Sequence, residues 1–249
     1  MSARRVAAAE AGSEEKDRGM FKDRVRQVAH NGLGPLVRLL ARGRVGPDML
    51  TVAGLVLSLG AALLFLAGGF RWAALLLALG GLCDLLDGEV ARERNVATTF
   101  GAFLDSTLDR LGEAIVLTGI AGFYVFHLVQ LVTDPSQVQA ELDRGLESPR
   151  TWFFASLTAV LALVGSSLVS YTRARAEGLG LDCRIGWFER PERVILLIIG
   201  ASFGVGNVMS IALMLLAVLS FATAGQRVLH VWRHTRVEAL GSRDPGREP

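Results

Sequence analysis

The sequence predicts an all-α integral membrane protein, six transmembrane helices preceded by a juxtamembrane amphipathic helix. Three observations lead there. Hydrophobic residues are 51% of the 249, more than an ordinary soluble domain of this size holds unless lipid replaces water around it. Polar breaks divide them into stretches near the length, about 20 residues, that crosses about 30 Å of hydrocarbon. Finally, threading those stretches back and forth puts 22 of the 26 Lys and Arg on one side, the bias that fixes orientation.

Taken in order, residues 1–19 are Ala-, Glu- and Arg-rich without apolar periodicity, which predicts a disordered tail. Residues 20–46 interleave Phe21, Val25, Val28, Leu33, Leu36, Val37 and Leu40 with Lys22, Arg24, Arg26 and Arg38. That is the pattern of a basic amphipathic helix on an anionic leaflet. The membrane domain covers 47–233, with spans expected near 49–69, 72–90, 100–129, 152–171, 194–208 and 210–231. The fifth is short, and a start at Pro191, a good first-turn residue, lengthens it. Residues 234–249 read as a second disordered tail. The first 20 residues lack the apolar core of a cleavable signal peptide, so the first span is expected to direct insertion. Both termini are expected in the cytoplasm and the chain in the plasma membrane; the acidic stretch 134–150 belongs outside with Arg71, Arg144 and Arg150. Cys83 and Cys183 are isolated and have neither zinc-site nor disulfide spacing.

Charge inside a span is costly, so a cluster of carboxylates at one depth marks a functional site. Asp84 and Asp87 stand at i, i+3 late in the second span, and Asp105 and Asp109 at i, i+4 early in the third. Each pair points from one helical face. The two spans are expected to form a hairpin with its turn around 93–99, so that all four carboxylates meet across the interface. Four like charges require a cation, and hard oxygen donors without His or thiolate select Mg²⁺, Mn²⁺ or Ca²⁺, with room for two ions. Gly88 and Gly101 would leave backbone open beside the cluster, and Arg92 lies on the face of Asp84. Metals with an arginine and open backbone suit a diphosphate. Carboxylates along helices would equally suit a cation-coupled transporter.

Taken together, Asp84-x2-Asp87-Gly88-x2-Ala91-Arg92-x8-Gly101-x3-Asp105-x3-Asp109 resembles the signature of the CDP-alcohol phosphatidyltransferases at every fixed position. The resemblance implies metal-dependent transfer of a phosphatidyl group from a CDP-linked lipid to an alcohol, releasing CMP. Asp84, Asp87 and Asp105 would be the main ligands of Mg²⁺ or Mn²⁺, with Asp109 near the metals and acting as base. Asp84, Gly88, Arg92 and Gly101 would line the nucleotide pocket, and Pro47 and Thr51 resemble the family's first-helix entry beside it. A homodimer is also implied. No nucleic acid partner is expected.

The region Ser170-Tyr171-Thr172-Arg173 and Trp187-Phe188-Glu189-Arg190-Pro191-Glu192-Arg193 looks like that of the prokaryotic phosphatidylinositol phosphate synthases. That implies CDP-diacylglycerol and inositol 1-phosphate as substrates, with Arg173, Arg190 and Arg193 holding the acceptor's phosphate. A cationic pocket would draw a dianion toward the diphosphate. Glycerol 3-phosphate would satisfy the same arginines, so phosphatidylglycerophosphate synthesis is the alternative. The scattered His30, His127, His230 and His234 suggest no ligand or base.

Overall fold

The computed structural model describes residues 34, 37, 39, 40, 46–94, 96, 98–134, 136, 139, 149–183 and 185–241. They form six principal helices: α1 (Pro47–Leu66), α2 (Phe70–Glu93), α3 (Thr99–Thr133), α4 (Pro149–Glu177), α5 (Arg190–Ser202) and α6 (Asn207–Gly241). No strand occurs among the described residues. The tail expected over 1–19 and most of the amphipathic helix over 20–46 lie outside them. At the other end, α6 continues to Gly241, past position 234 where the second tail was placed.

Local chemistry sets the boundaries. Pro47 opens α1 with Asp48 in the first turn, where a fixed φ and a negative charge both favour a helix start. Between α1 and α2, Gly68 takes a φ of +80°, and a Cβ there would also lie 3.1 Å from the Phe123 ring. Thr98 caps α3, its Oγ1 accepting from the Gly101 amide at 2.9 Å. Pro191 falls in the first turn of α5, as its fixed φ predicts.

The helices close into a ring in the order α1, α2, α5, α6, α4, α3, each packing on its two neighbours. The hairpin reading expects α2 and α3 to pack directly, and here the structure differs. No Cα atoms of α2 and α3 approach within 8 Å across their interface; α1 packs against both. Glycines permit this. Gly119 of α3 comes so near α1 that a Cβ would sit 2.5 Å from the Ala62 carbonyl oxygen, and a Cβ on Gly80 of α2 would lie 3.5 Å from that of Gly54. Seating α1 between them leaves a gap into which the aspartates project.

Val52, Val56, Leu59, Leu63 and Leu66 form an exposed stripe down α1, the outward face of a lipid-facing helix. Four helices, α1, α3, α4 and α6, are long and apolar enough to cross a membrane. The two other expected spans fall short for different reasons. The last turns of α2 carry Asp84, Asp87, Glu89, Arg92 and Glu93, and the 13 residues of α5 reach only about 20 Å at 1.5 Å per residue.

At the end of the ring farthest from the aspartates, the core is aromatic. Phe65 and Phe70 meet edge to face at 5.0 Å, Phe70 and Phe123 at 4.9 Å, and His127 meets Trp152 at 5.6 Å. These contacts tie α1, α2, α3 and α4 together and add to the area they bury. His127 thus serves packing, its Nδ1 lying 2.9 Å from the Phe123 carbonyl oxygen.

Candidate active site

The positions of the carboxylates follow from the ring. Asp84 extends from α2, Asp105 and Asp109 from α3, and one oxygen of each lies within 4.8 Å of the others. Arg190, the first residue of α5, reaches into this group. Its Nη1 lies 2.6 Å from Asp109 Oδ2 and bonds Asp84 Oδ2 as well. Asp105 Oδ1 is buried with no hydrogen-bond partner. Asp87 stands apart from the three: it is buried, and its Oδ2 accepts a hydrogen bond of 2.7 Å from Thr51 Oγ1 on α1. Of the four aspartates expected to converge, the structure brings together three.

A divalent cation fits this donor set. Three carboxylates within coordination reach, one of them with a buried oxygen left unpartnered, repel one another, and the guanidinium of Arg190 pairs directly with two of them. Hard oxygen donors of this kind bind Mg²⁺ or Mn²⁺.

The positions expected to meet the nucleotide surround the same end. Pro47 and Thr51 occupy the first turns of α1, and a Cβ on Gly101 would lie 3.7 Å from Asp48 Oδ1. Gly88 leaves open the space beside Arg92, whose Nη2 pairs with Glu89 at 2.5 Å and is largely exposed. The three acceptor arginines have different surroundings. Arg173 is exposed in the last turns of α4, its Nε 2.9 Å from Glu177. Arg190 stands among the aspartates. Arg193 is 2% exposed, its Nε and Nη2 bonding the two oxygens of Glu113 at 2.6 and 3.0 Å while Nη1 is left without a partner.

Two residues escaped the sequence reading. Glu113 is a further acid on α3, i+4 from Asp109, and the cost of charge in a span that singled out the aspartates applies equally to it. Arg227 of α6 is buried and donates Nε to the Ile185 carbonyl at 2.7 Å and Nη1 to that of Val169, tying α6, α4 and the intervening loop. Gly186 packs beside it: a Cβ there would be 3.3 Å from Arg227 Nη2 and 2.8 Å from Thr223 Cγ2. Cys183 is buried near this latch, and burial pushes its thiol up, consistent with a packing role.

Residues 44–232 match the family model of CDP-alcohol phosphatidyltransferase. Among curated relatives, the chain is 35% identical over 192 residues to the archaetidylinositol phosphate synthase of Methanothermobacter thermautotrophicus, covering 76% of this chain and 84% of that one. It is 35% identical over 201 residues to the phosphatidylinositol phosphate synthase of Mycolicibacterium smegmatis, covering 78% and 81%. Two crystal structures of the Mycobacterium tuberculosis phosphatidylinositol phosphate synthase share the fold at 34% identity. The one with CDP-DAG bound superposes with a TM-score of 0.64 over 80% of this chain and 92% of that one. The one in complex with manganese and citrate gives 0.65 over 80% and 88%.

Proposed function

Since the chain belongs to the CDP-alcohol phosphatidyltransferase family, we propose that it transfers the phosphatidyl group of CDP-diacylglycerol to inositol 1-phosphate, releasing CMP. The transporter alternative gives way to that membership. One observation supports the chemistry above the rest: carboxylates from two helices whose Cα atoms stay more than 8 Å apart converge within 4.8 Å and already draw in a guanidinium.

Asp84, Asp105 and Asp109, with Asp87 turning from Thr51, are the proposed ligands. Two divalent ions held there, Mg²⁺ or Mn²⁺, would offset the charge that builds on the departing CMP as the P–O bond within the diphosphate breaks. The protein's own part is placement. Pro47, Thr51, Gly88, Arg92 and Gly101 frame the nucleotide around Asp84. Arg190 and Arg173, with Arg193 behind them, draw in the acceptor's phosphate. An acceptor hydroxyl in line with the phosphorus forms the new P–O bond as the bond to CMP breaks, and Asp109 takes the hydroxyl proton.

We place the site at the cytoplasmic surface of the plasma membrane, in a six-span bundle with both termini inside. Charge bias supports the orientation. Exposed apolar residues on the two remaining helices support the span count: Trp72, Leu75 and Leu79 on α2, and Ile195 and Ile199 on α5 with Phe203 at its C-cap. Val37 packs with Leu50, Leu86 and Val90, which supports an amphipathic helix lying against the same end.

The test is CMP release by the purified protein with CDP-diacylglycerol, Mn²⁺ and one of four acceptors: inositol 1-phosphate, glycerol 3-phosphate, inositol or serine. The phosphorylated polyols should be used and inositol 1-phosphate preferred. Equal rates with inositol and its phosphate would refute the role given to the arginines, and no release with any acceptor would refute the reaction.

A further inference from the structure

Glu113 lies outside the motif, yet its side chain is only 7% exposed and it holds both ends of the Arg193 fork. Its place in the ring gives that bond a purpose. No Cα atoms of α3 and α5 come within 8 Å of each other among the described residues. α5 is seated by its packing on α2 and α6, and its direct ties to α3 at this end are side chains that reach across the gap.

Two ion-pair rungs do so. Asp109 and Glu113 share one face of α3, while Arg190 and Arg193 share one face of α5. The first rung, Arg190 to Asp109, is partly open to solvent and uses a carboxylate that the proposed reaction needs as a base. It cannot both clamp α5 and take a proton. The second rung, Arg193 to Glu113, lies one turn farther into the bundle, is buried, and takes no part in the chemistry.

A bidentate guanidinium–carboxylate pair fixes the plane and rotation of the fork as well as its distance. We infer that Glu113 is a positioning residue: it locks Arg193, and through it α5, so that Arg190 is presented to the acceptor's phosphate while Asp109 is at work. This rests on the phosphotransfer reading.

The test separates the two substrates in wild type, Glu113→Gln and Glu113→Asp, each in full-length purified protein. Glu113→Gln should raise the KM for inositol 1-phosphate at least tenfold and leave the KM for CDP-diacylglycerol within twofold. Glu113→Asp, which keeps the charge on a shorter arm, should lie between. The rise in thermal midpoint on adding Mn²⁺ should persist in both, since the aspartate cluster is untouched. A fall in kcat with both KM values unchanged would show a merely structural role and overturn the inference. If Glu113→Gln does not fold, Glu113→Asp decides alone, and a wild-type acceptor KM in it overturns the inference equally. Failure of the wild type to use either phosphorylated polyol would instead refute the underlying reaction.

Discussion

At one end of the helical ring Phe65, Phe70, Phe123 and Tyr124 meet edge to face, with centroids 4.9 to 6.2 Å apart. At the other, four acids and two arginines face one another across a gap between helices. The aromatic end is closed by contact and gains from every buried ring. The aspartate end is held open by like charges and by α1 standing between α2 and α3. Stability and chemistry therefore separate along the bundle, and substitutions should sort by which end they touch.

The largest effect is expected at Asp109. Asp109→Asn keeps the shape and removes the base, so CMP release should fall by about 10³-fold, within the range general bases supply. Its thermal midpoint should hold or rise, because one of several clustered like charges is gone. Near-normal turnover in this variant would place the base elsewhere.

Phe70→Ala probes the opposite end. Phe70 is 1% exposed and touches Phe65, Phe123 and Tyr124, so truncation should cost about 3–5 kcal/mol of stability by denaturant unfolding. Both substrate KM values should stay unchanged in the protein that remains folded. A changed KM would show that the ends are coupled.

Glu113 and Arg193 are where the division is narrowest, since a buried ion pair serves stability and site together. Arg193→Met leaves a carboxylate buried without its partner and should cost about 3 kcal/mol. The double variant Glu113→Gln, Arg193→Met should recover most of that loss. Arg190→Gln, in the rung whose side chains are 31% and 18% exposed, should cost less than Arg193→Met. Equal losses from the two single arginine variants would erase the contrast between the rungs.

What could be foreseen from the sequence follows the same divide. Apolar runs and the spacing from Asp84 to Asp109 are local signals, and helix geometry turns each into a face or a span. Which helices touch is not local. It depends on glycines such as Gly119, whose missing side chain admits α1 against α3 and so undoes the expected α2–α3 hairpin. Asp87 turned out bonded to Thr51, a partner 36 positions away, and Arg193 to Glu113 across 80. Pairings at that separation leave no periodic trace. Glu113 and Arg227 could have been found, by counting each as a further charge in an expected span.

The smallest effect should come from Thr51→Val, which swaps the hydroxyl that Asp87 uses for a methyl of similar size. Without metal, the buried carboxylate loses its donor and stability should drop by about 1.5 kcal/mol, the scale of a hydrogen bond to a charged group. If Asp87 turns to a metal when one binds, that bond is already broken in the loaded wild type, and the deficit should vanish at saturating Mn²⁺. The cycle must close, so the variant should bind Mn²⁺ about tenfold more tightly than wild type. Parallel thermal unfolding and Mn²⁺ titrations measure both sides of the cycle. An equal deficit with and without Mn²⁺ would mean that Asp87 keeps its bond to Thr51 and that three aspartates, rather than four, hold the metal.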